Sequence, residues 1–254
     1  MTNNLKDRFY AFLIHLGISA VIAAISMIVV FFIWYPAPLQ TAVGVTQIFL
    51  ILLAVDVTIG PLLTFVVFKK GKPSLKFDLA VIALLQMAAL GYGMNTVFAG
   101  RPAFVVFAAD RFEVSRAYEL DPASIKTAEK EKNESAKISW LQPKWVGALP
   151  SKDHDRRNKI MFDSVQGGND WPQLPELFVP LSEVKQPILE RSKPLEALRK
   201  IHGNDADAQE KLAGLNDSEV KWLPLVSNAK NMTVIVDANS AEVLKILDIN
   251  PWEK

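Results

Sequence analysis

Three long apolar runs occupy the first hundred residues, and the hydrophobic pattern changes abruptly after them. Residues 9–34 carry no formal charge; residues 45–68 are interrupted by Asp56 and the Gly60-Pro61 pair; residues 77–98 complete the set. Each run is long enough to cross about 30 Å of hydrocarbon as a helix, and the first is longer than a signal-peptide core. The connections at 35–44 and 69–76 are short, so consecutive helices are predicted to be antiparallel neighbours. Pro36 and Pro38 lie in the first connection and are expected to end the first helix.

Beyond Arg101 the apolar residues come in short runs. Residues 103–107 and 112–114 flank a turn-like Ala-Ala-Asp-Arg, with strand periodicity in the second run. Residues 232–236 and 242–247 flank the turn 237–240 and predict a second hairpin. Helix signals lie between them. Asp121-Pro122 supplies a cap and first position for a helix to about Lys137, Lys193-Pro194 opens 195–202 ahead of Gly203, and 205–212 predicts a short third helix. Residues 142–173, rich in Pro, Gly, Asp and Lys, read mostly as loop. The predicted fold class is a membrane protein with three transmembrane α-helices, 1–100, followed by an α+β domain, 101–254.

Bulk composition hides this division. Over 254 residues, 50% hydrophobic and 22% charged with net charge +1 resembles an ordinary soluble protein. Yet residues 1–100 hold only Lys6, Arg8, Lys69, Lys70, Lys72 and Lys76 against Asp7, Asp56 and Asp78. The first connection is uncharged and the second carries four lysines, so the positive-inside rule predicts a cytoplasmic N terminus and a cytoplasmic 69–76 loop. An odd number of spans then places 101–254 across the bacterial inner membrane, in the periplasm. Trp34 and Tyr35 fall where an interfacial aromatic anchor belongs. The absence of cysteine excludes a disulfide framework, thiolate metal sites and a cysteine nucleophile, and near-neutral charge leaves no footprint for nucleic acid.

Asp56 is the sharpest chemical feature. A carboxylate at mid-span costs about 2.5–3.5 kcal/mol on insertion scales unless it is protonated, paired or wetted. Gln86 lies at comparable depth in the third run, Ser19 and Ser26 in the first are possible donors, and His15 sits nearer the cytoplasmic end. Gly60-Pro61 is expected to break or kink the second helix one turn after Asp56 and to shape a groove. Asp56, Gly60, Pro61 and Gln86 are the candidate intramembrane partner-binding residues, with a structural hydrogen bond among the helices as the alternative. Gly91-Tyr-Gly93 permits close helix approach but lacks the four-residue spacing of a dimer motif. His15, His154 and His202 are too scattered for a metal site, 152–157 reads as a solvated loop, and no nucleophile elbow, P-loop or dinucleotide fingerprint is present. Neither catalytic residues nor cofactors are expected.

Several local strings, taken together, carry a family likeness. Phe32-Ile-Trp-Tyr-Pro-Ala-Pro-Leu39, Gly44-Val45, Val55-Asp-Val-Thr-Ile-Gly-Pro-Leu-Leu-Thr64, Lys72 with Leu75-Lys-Phe-Asp-Leu79, Gln86 and Gly100-Arg-Pro102 resemble the TfpX/TfpZ type IV pilin accessory proteins, to which FimB is related. The likeness is dense over about residues 8–120 and thinner beyond, where Trp222-Leu-Pro-Leu and the hairpin ending near Trp252 carry it. The resemblance implies a non-enzymatic inner-membrane protein that assists type IV pilin assembly, stability or pilus dynamics, with a major pilin or the pilus assembly machinery as partner. A membrane-tethered periplasmic sensor or binding protein is the alternative, although 69–76 and the N-terminal tail leave little room for a cytoplasmic output.

Overall fold

The computed structural model describes Thr2–Trp252 and divides into two compact units. The first comprises the chain up to Pro36 and Val45–Ala99; the second comprises Ala37–Gly44 together with the chain from Gly100 onward.

Three helices build the first unit: α1 (Thr2–Ile28), which continues as one π-helical stretch (Val29–Trp34), then α3 (Val45–Val67) and α4 (Leu75–Ala99), with the short α2 (Leu39–Val43) between the first two. All three long helices have the length and apolar character to cross a membrane. The antiparallel register of α1 and α3 is visible in their contacts. Near one end, the Arg8 guanidinium donates to the Phe68 carbonyl at 2.8 Å and Phe12 meets Phe65 edge-on; near the other, Phe31 meets Phe49. Residues buried on α1 are largely small, Ser19, Ala23 and Ser26 at helical spacing, which lets the helices approach closely. Between α3 and α4, Leu52 occupies the space above Gly93. Tyr35 differs from its expected interfacial role: it is buried, with its hydroxyl donating to the Val97 carbonyl at 2.7 Å, while Trp34 packs on Phe98.

The second unit is an eight-stranded mixed sheet. Its strands are β1 (Pro102–Ala108), β2 (Arg111–Arg116), β3 (Lys144–Ala148), β4 (Phe178–Pro180), β5 (Lys193–Pro194), β6 (Val220–Val226), β7 (Met232–Asp237) and β8 (Val243–Leu247). Their order is β4-β3-β1-β2-β6-β7-β8, with β5 on β6; β1 with β3 and β2 with β6 are parallel and the other pairs antiparallel. Helices α5 (Pro122–Lys130), α6 (His154–Val165), α7 (Lys185–Arg191), α8 (Leu195–Ile201) and α9 (Ala206–Leu212) cover the sheet.

Alternation along β1 sends Val105 and Phe107 into one core and Phe104 and Val106 into another on the opposite face. Burial on both faces is why this strand is a continuous apolar run. The stretch 142–173, read as loop, holds both β3 and α6. β3 is only five residues long, and α6 buries little but Ile160, so neither produces a strong periodic signal. The helix opening at Pro122 stops at Lys130, well short of Lys137. Lys132 adopts a left-handed conformation, and Asn133 starts a 3₁₀ turn by accepting from the Ser135 N–H.

One feature of the second unit is non-local. Helix α2 lies in the first connection yet contributes Leu39 and Ala42, 3% and 0% exposed, to the core formed by Phe107, Phe112, Leu223, Leu225 and Val234. The Ala42 carbonyl accepts from the N–H groups of both Ala229 and Lys230, each at 3.1 Å. Gly44 ends α2 at φ +80°, and a Cβ there would stand 2.7 Å from that of Ala229, so both conformation and space call for glycine. The 37–44 segment is therefore a structural part of the second unit. Leu39→Ala should destabilise that unit by about 2–5 kcal/mol, read as earlier heat-induced protease cleavage between residues 100 and 252 in the full chain. Unchanged cleavage would mean that α2 rests on the core without supporting it.

Candidate functional site

On α3 the buried positions run Phe49, Leu53, Gly60 and Thr64, and Asp56 falls in the same row between Leu53 and Gly60. This spacing sets a carboxylate on the packing seam, where it is half-buried. Gln86 on α4 faces it: the Gln86 Nε2 donates to the Asp56 carbonyl at 2.9 Å, and the same amide interacts with the Asp56 carboxyl group. Gly60 makes this possible, because a Cβ at that position would overlap the Gln86 amide. From α1 the imidazole of His15 is within electrostatic reach of Asp56 and is hydrogen-bonded through Nδ1 to the Thr64 hydroxyl at 2.6 Å. Ser19 and Ser26 are buried on α1. A helix that must hide a carboxylate in hydrocarbon needs such neighbours to offset its desolvation.

Helix α3 runs without interruption through Pro61, contrary to the expected break. Proline withholds the N–H that the Val57 carbonyl would otherwise accept. Neighbouring helices tolerate that loss in a membrane helix, and Pro61 is buried with Gly60. Gly60 and Pro61 therefore serve internal packing, and among the four candidate residues the half-exposed Asp56 and Gln86 retain the polar surface. In this arrangement the Gln86 Oε1 is buried without a hydrogen-bond partner.

The second unit has an open groove of about 1320 Å³ bordered by α5 and α6, among whose lining residues are Asp121, Asp153, Arg156, Lys159, Asp163 and Glu176. The Arg156–Glu176 ion pair, at 2.7 Å, holds α6 against the loop that precedes β4. Beside the groove, α6 presents Met161, Phe162 and Val165 to solvent. These residues lie in the stretch read as loop, where their helical grouping was not visible. Farther along, β2 carries Glu113, whose carboxyl burial holds above the usual carboxylate range. Asp237 lies below that range because its carboxylate accepts from the Ser240 and Asn239 N–H groups in the β7–β8 turn. Among the described residues no group of three or more His, Cys, Asp or Glu side chains is placed to hold a metal ion.

The Gly60–Gln86 fit makes a direct test of the seam. Gly60→Ala should destabilise the three-helix unit by about 1–3 kcal/mol through overpacking, and adding Gln86→Ala should recover most of that loss. Unfolding of the full chain in detergent, followed as loss of helix signal, measures both; equal stability of the single and double variants would disprove the coupling.

Three comparisons bear on this architecture. The family model described as fimbrial assembly protein FimB matches residues 3–44, which include α1 and α2. A fimbrial assembly protein of serogroup I from Dichelobacter nodosus is 28% identical over 246 residues, 94% of each chain, and one of serogroup E1 is 27% identical over the same share. A fimbrial assembly protein of serogroups C1 and C2 from the same organism is 35% identical over 103 residues, 40% of this chain and 79% of the relative. No solved structure gives a significant match. With full-length relatives, a matched family model over its first helix and α2, and the three-helix and α+β plan in one chain, this protein belongs to the FimB family of fimbrial assembly proteins.

Proposed function

We propose that this protein is a non-enzymatic inner-membrane accessory factor for type IV pili that binds a pilin before or during its assembly. The observation that carries the reading is a likeness to fimbrial assembly proteins extending over 94% of both chains. Orientation follows from charge, with Lys6, Arg8 and the lysines of 69–76 cytoplasmic. The place of Ala37–Gly44 in the second unit supports it, since the connection after the first helix and the domain after the third must lie on one side of the bilayer. Helices α3 and α4 then cross as a pair.

In this reading a pilin waits in the membrane as an apolar helix with its globular head in the periplasm. Asp56 offers a carboxylate to a cationic group on that helix, such as its N-terminal ammonium, with Gln86 and His15 holding the site. The second unit reads the head, and Met161, Phe162 and Val165 beside the groove are the apolar surface available for it. Partner selectivity would then reside in residues 37–44 and 100–254 together.

A deletion strain should retain total pilin yet show fewer surface pili and reduced twitching, with both restored by the intact gene. Complementation by Asp56→Asn should restore protein level but only part of the surface pili; full restoration would remove any need for the charge. Exchanging 37–44 together with 100–254 between relatives should exchange pilin preference, and unchanged preference would overturn the division of labour. Normal surface piliation in the deletion strain would overturn the proposed function as a whole.

A further inference from the structure

We propose that Arg8, Lys69 and Lys70 form a binding site for the phosphodiester headgroup of an anionic phospholipid, phosphatidylglycerol, at the lysine-bearing end of the three-helix unit. The formal charges of residues 1–100 gather at that end. Six cations in 6–8 and 69–76 stand there against Asp7 and Asp78, and the remaining charge is Asp56. The connection at the opposite end, 35–44, carries none. A surplus of positive charge at one end of a set of spans attracts anionic lipid; the contacts of Arg8 turn that general attraction into a built site.

Arg8 is half-buried, and its Nε donates to the Phe68 carbonyl at 2.8 Å. Phe68 follows the last residue of α3, so this carbonyl is one that no further helical turn can satisfy, at the negative end of the helix dipole. The bond uses one N–H of the guanidinium and holds its plane in place. Both Nη groups are without a partner among the described residues, and that fork is matched to two oxygens of a phosphate. Lys69 comes next in the chain, its Cα about 3.8 Å from that of the residue holding Arg8. It is exposed and forms no ion pair among the described residues. Lys70 is 79% exposed and stands 4.0 Å from Asp7, too far for a hydrogen bond. Lys72, by contrast, is paired with Asp78 at 2.6 Å and lies outside the site.

Depth decides the ligand. Helix α3 has 23 residues, about 34 Å at 1.5 Å per residue, slightly more than the roughly 30 Å of hydrocarbon it must cross. Its final carbonyls, with Arg8 beside them, therefore reach the layer where lipid phosphates lie. Phe9, Tyr10 and Val66, all more than half exposed, are within one turn of Arg8 or Phe68 and give the acyl chains an apolar wall. A free phosphate uses only the cations, whereas a phospholipid uses both the cations and the wall. The site goes beyond the pilin reading and rests only on insertion of the three helices, so its failure leaves that reading standing.

Full-length protein in an uncharged detergent, titrated with phosphatidylglycerol or phosphatidylethanolamine and followed by native mass spectrometry, tests the site directly. Phosphatidylglycerol is expected to bind several-fold more tightly. Lys69→Gln with Lys70→Gln, both exposed, should remove most of that preference. Arg8→Lys keeps the charge but loses the fork and should weaken the preference as well. Lys76→Gln removes a charge from the same end outside the site and should leave it intact. Loss of helix signal on heating in lipid-free detergent separates a variant that has unfolded from one that has lost only the site. Equal binding of the two lipids, or a preference that survives the double replacement, would overturn the proposal. So would an equal loss with Lys76→Gln, which would mean a diffuse field, or full displacement of the lipid by inorganic phosphate, which would mean an anion site that takes no account of the acyl chains.

Discussion

The Ala42 carbonyl, accepting two amide protons, ties together segments that lie far apart in the sequence. Ala42 belongs to the connection between two apolar helices, and its donors, Ala229 and Lys230, lie just before β7, close to the other end of the chain. Leu39 and Ala42 fill a space between Phe107, Leu223 and Val234 that no other segment occupies. Removing a Leu side chain from water is worth about 1.5–3 kcal/mol, a large share of the marginal stability of a domain of this size. The first core therefore closes only when sequence-distant segments meet. Its completion requires the chain on both sides of 37–44 to have been made and placed.

That dependence explains which parts of the fold could be read in the sequence. The three apolar helices were legible because their signal is cumulative: more than twenty residues each, with almost no charge. The β1–β2 and β7–β8 hairpins were legible because pairing is local and their turns carry Asp, Asn or Ser. By contrast, β6 went unrecognised as a strand because Pro224 interrupts its pattern. In the fold, β7 follows β6 along most of its length, while its opposite edge is shared between β5 at Lys221 and Trp222 and β2 at Leu225 and Val226. Pro224 falls in the gap between those two neighbours, where a missing N–H costs least. α2 was hidden for a different reason. Five residues beside two prolines look like a linker, and only the partner surface more than 180 residues away shows otherwise.

The intramembrane site divides along the same line. Asp56 announced itself by chemistry, since a carboxylate in an apolar run is rarely idle, and Gln86 followed from matching depth on an antiparallel neighbour. Gly60 was singled out for its place beside Pro61, and the structure shows a packing use for it. Without a view of Gln86 it looked like a helix breaker beside Pro61, whereas it is the hollow that receives the Gln86 amide. Pro61 does not end the helix for a related reason: it is buried with Gly60, where the neighbouring helices tolerate the missing N–H. Periodicity identifies which face of a helix is buried, but not which side chain fills a gap on it.

The polar seam carries one further consequence. Gln86 directs its amide nitrogen to the Asp56 main chain, so its buried Oε1 remains without a hydrogen-bond donor. A buried acceptor left unsatisfied costs about 1–3 kcal/mol, and in hydrocarbon no water is at hand to relieve it. A three-helix unit selected only for stability would replace Asp56, Gln86 and His15 with apolar residues of similar size, a change that is often neutral or favourable for buried charge. Keeping a half-buried carboxylate, an unsatisfied amide oxygen and an imidazole on one seam instead sets aside stability for polar capacity. The part of that seam left half-exposed is at Asp56 and Gln86, which is why the proposed contact with a pilin helix is placed there.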